Sequence, residues 1–536
     1  MAATTSAPSS SDGAASDGAL GLDSARGRWV LAVAVLGSGM VFLDGTVVNV
    51  ALPDIGRSLD ASTSALQWIL NGYLLTLASL ILLGGSLGDR YGRRRVFVLG
   101  ALVFTAASLL CAVAPTAELL VVARLLQGVG GALLTPGSLA MIEASFRPSD
   151  RARAIGAWSG LGGVATAVGP LLGGYLVDAV SWRAIFLLNL PLGAFVIAMA
   201  TRHVPETRDP TTTGGLDYRG AVLAALGLAG TTYALIEGPG GGTLGMVLIA
   251  GIVGIVALAA FLGAERRSPN PMMPLSIFST RQFSAANLVT FAVYAALGGF
   301  FFLFVAFLQI SLGYSPIAAG AASLPVTALM LVLSARAGAL AQRIGARIPL
   351  TVGPLVIAAG LLLMTQIDRG SDYLSGILPG VIVFGLGLTL VVAPVTATVL
   401  AAADERHSGI ASGINNAVAR VAGLLAVAVL PLVAGLTGTK FYDPDAMVSG
   451  FHIAVVVCAG LAAAGGIVAW LTISDDVLHA EPEPSGALPT DILDDYSCAV
   501  AGPSVRPGRE AACHPVGAEA VKAGESEEAR PTADVS

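Results

Sequence analysis

The stretch GSLGDRYGRR runs from Gly85 to Arg94, and it recurs as GALAQRIGAR from Gly338 to Arg347. Two glycines, one leucine and two arginines coincide when the two stretches are aligned. The glycines permit a tight turn, and clustered arginines are typical of cytoplasmic loops in membrane proteins. The repeat therefore indicates a chain built from two related halves, each with such a loop.

Apolar segments of about 20 residues, long enough to cross ~30 Å of hydrocarbon, flank both copies and recur along the chain. Charged residues make up 12% of the sequence and mean hydropathy is +0.78, whereas soluble chains carry about 25% charged residues. The sequence predicts an all-α integral membrane protein with fourteen transmembrane helices. The expected spans are 29–52, 65–87, 96–115, 119–142, 153–178, 182–201, 217–236, 243–263, 283–312, 316–341, 348–367, 376–401, 408–437 and 448–472.

The two loop copies follow the second and the tenth span, so eight spans separate them. The simplest arrangement is an N-terminal six-helix half at 29–201, two extra linker helices at 202–282 and a C-terminal six-helix half at 283–472. Parallel halves suit alternating access, in which they rock about a site near the membrane midplane. We expect a disordered cytoplasmic arm at 1–28 and a disordered cytoplasmic tail at 473–536, because neither carries a sustained apolar pattern.

Arginine placement gives the orientation, since cytoplasmic loops are enriched in Lys and Arg. With the N-terminus inside, nineteen arginines fall in or beside cytoplasmic loops, and four basic residues fall outside, namely Arg57, Arg183, Arg369 and Lys440. An error of one span would mix basic loops between the two sides. Both termini are therefore predicted to be cytoplasmic.

Several function classes are excluded by the same features. The spans leave no room for a soluble catalytic domain, so we expect transport and no enzymatic activity. The sequence lacks a phosphate-binding loop, which argues against ATP as the energy source. Its four cysteines have no metal-ligand spacing, so neither a metal nor a cofactor is expected. The acidic surplus lies mainly in the termini and gives no sign of nucleic-acid binding.

Two charged residues inside apolar spans are the strongest candidates for chemistry. Asp44 lies in the first span, where desolvation penalises the ionised carboxylate and favours exchange of a proton. Arg124 lies in the fourth span beside Gln127, Gly128 and Gly130, and its guanidinium needs a partner or water. We expect both residues to take part in proton coupling. The alternative is a purely structural ion pair or a carboxylate fixed by backbone donors.

The loop and the fifth span supply two further candidate sites. The loop residues are predicted to control gating, the alternative being a basic loop with no further task; they are Gly85, Asp89, Arg90, Gly92, Arg93 and Arg94. Small residues and a proline in the fifth span favour close packing and a bend, which predicts a hinge or a leak seal. These residues are Gly169, Pro170, Gly173 and Gly174. The repeat does not keep the charges, since Gln342 replaces Asp89 and Val381 aligns with Arg124.

Polar and aromatic residues inside other spans are candidates for lining a substrate cavity. Arg420 is the most unusual among them, although it could simply hydrogen-bond within the bundle. The candidate cavity residues are Tyr73, Gln127, Tyr294, Asn415, Asn416 and Arg420.

Together these motifs resemble the major facilitator superfamily, and within it the fourteen-helix drug:proton antiporters. The loop, the Arg124 motif and the Gly169 to Gly174 motif match the superfamily, and 43–53 and 182–191 resemble the fourteen-helix branch. The resemblance implies a cavity between the halves, coupling through Asp44 and Arg124, and a loop that controls opening. Members that recognise organic cations carry extra acids in the thirteenth span, and 409–431 contains none. A strongly cationic substrate is therefore not expected.

The sequence thus predicts a proton-coupled antiporter that exports small amphipathic molecules, such as drugs or antibiotics, across the bacterial inner membrane. Its partners would be a small-molecule substrate, protons and the lipid bilayer, and a monomer would suffice. Two alternatives remain open. One is an exporter dedicated to a single endogenous metabolite for self-resistance, and the other is a membrane sensor or scaffold without transport.

Overall fold

The structure is a computed structural model that describes residues 20–208, 215–403 and 408–478. Fourteen of its helices are long and apolar enough to cross a membrane, which confirms the predicted number. The described residues contain no β-strand, and one isolated bridge pairs Leu20 with Phe146. Residues 1–19 of the predicted arm and 479–536 of the predicted tail lie outside the described residues. The spans are α1 (Ala25–Leu59), α2 (Thr63–Tyr91), α3 (Arg93–Val113), α4 (Ala117–Ser145), α5 (Pro148–Ala179), α6 (Ala184–His203), α7 (Tyr218–Glu237), α8 (Leu244–Arg267), α9 (Arg281–Ile310), α10 (Pro316–Ile344), α11 (Arg347–Gln366), α12 (Tyr373–Ala401), α13 (Gly409–Val433) and α14 (Pro444–Thr472).

The helix ends differ from the expected ones where local chemistry overrides the hydropathy pattern. α1 continues past Pro53 to Leu59, because a proline removes only one amide donor from the helix. The next residue, Asp60, caps the end of α1 with a left-handed φ of 49°. At the other end of α1, Ser24 accepts the Gly27 N–H and starts the helix before Trp29.

Some spans are built from two pieces. Leu188 separates the short helix Ala184–Leu187 from Asn189–His203 in α6. In α10 the piece Pro316–Ala321 precedes Leu324–Ile344. α12 begins with one π turn at Tyr373–Ile377, whose first amides are capped by the preceding aspartate.

A single residue, Gly92, separates α2 from α3, and its φ of 115° favours glycine. A Cβ at this position would lie 2.5 Å from Glu206 Oε1. The tight turn predicted for the basic loop is therefore present, and no larger residue fits it without displacement of Glu206.

The helix neighbours repeat with an offset of eight spans. α4 packs on α2 and α3, and α12 packs on α10 and α11. Glycines allow the closest approaches in both sets: a Cβ at Gly130 would lie 2.5 Å from the Phe104 amide, and a Cβ at Gly387 would lie 2.5 Å from the Ile357 amide. α7 and α8 pack on each other, and α7 also contacts α2.

The first six spans contact the last six through hydrogen bonds near one end of the bundle. Gln309 donates to the Val50 carbonyl at 2.8 Å, and Thr63 donates to the Gly438 carbonyl at 2.9 Å. At the same end, α5 and α10 approach closely where Gly174 meets the Pro316 backbone. These contacts join the first six spans to the last six beside the α1–α2 turn, and we call this end of the bundle the closed end.

Candidate functional site

The carboxylate of Asp44 is fully buried among three helices of the first six. Arg124 on α4 donates to its Oδ2, Gln127 Nε2 donates to its Oδ1 at 2.8 Å, and Asn189 Nδ2 on α6 reaches the same oxygen at 3.3 Å. One guanidinium and two amide groups thus face the carboxylate. The structure therefore places Asp44 in a closed, charge-compensated pocket.

The guanidinium of Arg124 is also fully buried and makes several contacts besides Asp44. Its Nη1 donates to Gln127 Oε1 at 2.6 Å, and its Nε donates to the Ile69 carbonyl at 3.0 Å. The face of the Tyr73 ring lies 4.3 Å from the guanidinium carbon, which adds a cation–π contact. Such contacts offset the cost of placing a charge at membrane depth. The sequence analysis predicted both Asp44 and Arg124 as candidate residues, and in the structure they are in direct contact.

Residues that the sequence analysis did not single out complete this pocket. Ser108 Oγ on α3 accepts from Gln127 Nε2 at 2.9 Å and from Asn189 Nδ2 at 3.2 Å. It donates to the Phe104 carbonyl at 2.8 Å, so its orientation is fixed. The only sequence signal for Ser108 is a polar residue inside an apolar helix. We call Asp44, Arg124, Gln127, Ser108 and Asn189 the buried charge cluster.

Within the basic loop, the charges pair inside the first six spans. Arg93 lies 2.9 Å from the Asp89 carboxylate and donates to the Ala140 carbonyl on α4 at 3.3 Å. The Arg94 amide donates to Glu206 Oε1 at 3.1 Å, and the Arg94 guanidinium lies 3.6 Å from the same carboxylate. Glu206 was not a sequence candidate, because it follows α6 and lies far along the chain. The Arg90 guanidinium lies 5.9 Å from the ring of the next residue, Tyr91.

The glycines of the α5 motif lie against two different helices. A side chain at Gly169 or Gly173 would overlap Thr46 or Val47 on α1. Gly174 faces the start of α10, and the Pro170 carbonyl faces Gly320 on α10. This motif therefore joins α1 to α5 and α5 to α10 at the closed end of the bundle.

The candidate cavity residues separate into two sets. Tyr73 and Gln127 are buried around Arg124, so in this structure they belong to the buried charge cluster and its surroundings and do not line an open space. Asn415 is tied to α9, because it donates to Asn287 Oδ1 at 3.2 Å and to Thr290 Oγ1 at 2.9 Å.

The second set, to which Asn415 also belongs, is half-buried and lies on α9 and α13. Asn416 donates to the Ser412 carbonyl at 3.1 Å. Tyr294 and Arg420 are half-buried, and neither forms a hydrogen bond or ion pair with the described part of the chain. Their polar groups are therefore available to a ligand or to water.

The described helices include fourteen that are long and apolar enough to cross a membrane, and the first six of them hold a buried, compensated ion pair. This is the pattern of a polytopic membrane protein, in which charges at membrane depth mark functional sites by default. The sequence profile of the Major Facilitator Superfamily matches residues 34–427. The chain belongs to the major facilitator superfamily.

Proteins of similar sequence indicate which group within the superfamily the chain resembles. The chain is 37% identical over 74% of its length to 73% of "Multidrug resistance protein Stp" of Mycobacterium tuberculosis. It is 37% identical over 82% of its length to 92% of "Methylenomycin A resistance protein" of Streptomyces coelicolor. It is 36% identical over 78% of its length to 78% of "Tetracenomycin C resistance and export protein" of Streptomyces glaucescens. The predicted drug-efflux family and multi-pass location in the bacterial inner membrane are confirmed.

Solved structures agree at the level of the fold. The crystal structure of a peptide transporter POT in complex with sulfate covers 82% of this chain and 94% of its own, with a TM-score of 0.61 and 16% identity. At that identity the likeness shows the transporter fold and leaves the cargo to other observations.

Proposed function

We propose that this transporter is a proton-coupled antiporter that exports small amphipathic molecules by alternating access of the halves 29–201 and 283–472. The observation that carries the proposal is the buried pair of Asp44 and Arg124. A buried ion pair is stable only while both members are charged, since an unpaired charge at that depth is costly. Protonation of Asp44 therefore changes the energy of the whole cluster.

The position of Asp44 on α1 connects this change to the second half. α1 packs along α5 through Gly169 and Gly173, and its Val50 carbonyl accepts from Gln309 on α9. When Asp44 is neutral, Arg124 loses its charged partner and the α1–α4 contact weakens. A shift of α1 then alters the contacts that close the bundle at its α1–α2 end.

The closed end supports a direction for transport. The arginine distribution assigns the α1–α2 turn to the outside, so the closed end faces outward and the opposite end faces the cytoplasm. Tyr442 donates to the Ala61 carbonyl at this end, and burial raises the pKa of its hydroxyl, which therefore remains a donor. In this conformation cargo loads from the cytoplasm while Asp44 is ionised. Proton uptake from the outside follows when the bundle opens there.

A matched pair of variants on α1 tests the coupling. Asp44→Asn removes the negative charge of the buried charge cluster, whereas Asp54→Asn removes the charge of a half-buried carboxylate that lies 2.7 Å from the largely exposed Arg57. A resistance screen across chemical classes in a pump-deficient host first identifies a cargo. Proteoliposomes with a pH-sensitive dye inside then report proton movement when that cargo is added.

We expect cargo-dependent proton movement to be lost in Asp44→Asn and retained in Asp54→Asn. Size-exclusion profiles of both purified variants serve as the folding control. Undiminished antiport in folded Asp44→Asn would contradict the proposal, as would equal losses in both variants.

A second candidate function is export of one endogenous metabolite. It is favoured by relatives whose names refer to single antibiotics, methylenomycin A and tetracenomycin C. The same resistance screen separates the two, because a dedicated exporter would protect against one chemical class and a multidrug exporter against several. We propose that a monomer suffices in either case, since one chain supplies every member of the buried charge cluster.

A further inference from the structure

Arg420 carries a positive charge near the middle of a membrane span, and none of the described residues pairs with it. It lies one residue from the midpoint of α13, is half-buried, and forms no hydrogen bond or ion pair with any described residue. Arg124, at similar depth, is satisfied by a carboxylate, an amide oxygen, a carbonyl and a ring. Keeping a charge uncompensated at this depth costs free energy and is a feature of sites that bind something.

The helix register places a second free polar group beside Arg420. Asn415 on α13 bonds to Thr290 on α9, and a Cβ on Gly298 would lie 2.7 Å from the Gly423 Cα. Both pairs have the same offset along the two helices, so Tyr294 on α9 is level with Ala419 on α13, the residue before Arg420. The Arg420 charge acts electrostatically on the Tyr294 hydroxyl, which has no hydrogen-bond partner among the described residues.

The third helix beside Arg420 is α2, which packs antiparallel to α13. Gln67 donates to the Val427 carbonyl at 2.7 Å, and further along α2 a Cβ on Gly413 of α13 would approach Leu82. Arg420 lies between these two contacts. Its charge also acts on Tyr73 of α2, the ring that covers Arg124. The Arg420 site thus adjoins the buried charge cluster.

We propose that Arg420 and the Tyr294 hydroxyl bind an acidic group of the exported molecule, a carboxylate or an ionised phenol. A planar guanidinium matches a carboxylate with two parallel hydrogen bonds, and a phenolic O–H adds a third donor. No acid lies within 409–431 to compete, and Asp44 is already held by Arg124. A lipid headgroup is disfavoured as the occupant because it lies at the interface, whereas Arg420 lies at mid-span. The identification of the ligand as cargo rests on the proposed export function.

Binding of two matched probes to the purified full chain in phosphatidylcholine nanodiscs tests this inference. The probes are 1-pyrenebutyrate, an amphipathic carboxylate, and 1-pyrenebutanol, its uncharged analogue, and their dissociation constants are measured by fluorescence. We expect Arg420→Gln to weaken pyrenebutyrate binding about 10- to 100-fold, the range for charge-assisted hydrogen bonds, and to change pyrenebutanol binding less than about threefold. Tyr294→Phe should weaken pyrenebutyrate binding by about three- to tenfold.

Two further variants make the result interpretable. Arg420→Lys keeps the charge but loses the fork geometry, so it should fall between wild type and Arg420→Gln; it also keeps the test open if Arg420→Gln does not fold. Arg369→Gln removes a positive charge outside the spans, where it lies 3.1 Å from Asp445, and should leave both constants unchanged.

Equal affinity of wild type for the two probes would overturn the inference, as would the same loss for both probes in Arg420→Gln. Displacement of pyrenebutyrate by added phosphatidylglycerol would overturn it too, because the acidic group would then belong to a lipid. The proposed function can fail independently of this inference. If binding of the acidic probe depends on Arg420 but no proton-coupled transport is measured, the antiport proposal is contradicted and the acidic site is not. Proton-coupled export confined to neutral or cationic cargo contradicts the acidic site alone.

Discussion

A double-mutant cycle on Asp44 and Arg124 gives the sharpest quantitative prediction. Arg124→Leu leaves the Asp44 carboxylate fully buried, and among the described residues Gln127 and Asn189 are then its only donors. Removing one member of a buried pair costs about 3–5 kcal/mol, because the other charge stays uncompensated. Asp44→Asn should cost less, about 2–3 kcal/mol, since Arg124 keeps Gln127, the Ile69 carbonyl and the Tyr73 ring.

The double variant Asp44→Asn with Arg124→Leu removes both charges and leaves no uncompensated ion. Replacement of a whole buried pair is often close to neutral, so we expect a loss of about 1–3 kcal/mol, part of it from the unpaired Ile69 carbonyl. The sum of the two single losses should therefore exceed the loss of the double variant by about 2–7 kcal/mol, which is the coupling energy. The measurement is reversible unfolding of the purified protein in mixed micelles titrated with sodium dodecyl sulfate.

The same cycle on Asp54 and Arg57 is the matched control, because both residues lie on α1, as Asp44 does, and their charged groups are 2.7 Å apart. The Arg57 side chain is 66% exposed, so its coupling energy should be only about 0.2–1 kcal/mol. A coupling energy for Asp44 and Arg124 as small as that of the control would refute the claim that protonation of Asp44 changes the energy of the buried charge cluster.

Three further predictions concern the contacts around α5 and the basic loop. Gly174→Ala should destabilise the protein by about 1–3 kcal/mol, because its Cβ would overlap the α10 backbone. Gly160→Ala has open space around its Cβ and should stabilise the protein by about 0.5–1 kcal/mol through helix propensity. Thermal unfolding of the two purified variants measures both changes. Asp178→Ala removes the acceptor of the Ile317 amide, which lies 2.9 Å away, and should raise maleimide labelling of a cysteine introduced at that end of α10 by a few-fold. Glu206→Ala removes the acceptor of the Arg94 amide in the first turn of α3 and should cost about 1 kcal/mol, measured as a lower midpoint in the same thermal unfolding.

The number of spans could be predicted from sequence because the bilayer imposes it. Every segment that crosses hydrocarbon must be about 20 apolar residues long and must satisfy its own backbone hydrogen bonds, so hydropathy alone finds the helices. The ends of the helices could not be predicted as well. α1 passes through Pro53, and α6, α10 and α12 contain breaks, since caps and single turns depend on contacts that hydropathy does not record.

The two charged residues of the buried charge cluster could be predicted from the sequence, whereas Ser108 and Asn189 could not. Asp44 and Arg124 stand out as charges inside apolar spans, although they lie 80 residues apart in sequence. Ser108 and Asn189 carry no charge, and only the packing of α3 against α4 and of α6 against α1 and α3 brings them to Gln127 and Asp44. Glu206 was missed for the same reason, because its contact with Arg94 requires the chain after α6 to return to the start of α3.

The unequal charges of the two halves suit the two tasks of an antiporter. The first half holds a carboxylate and a guanidinium that neutralise each other, so its energy depends on whether Asp44 carries a proton. At the midpoint of its α13 span, the second half holds a guanidinium that no described residue neutralises, so its energy depends on whether an acidic ligand is present. Tyr73 lies between them, with Arg124 against its ring and the field of Arg420 on its hydroxyl. Proton and cargo would then act on neighbouring charges across one interface, and a single movement of α1 and α2 against α9 and α13 would respond to both.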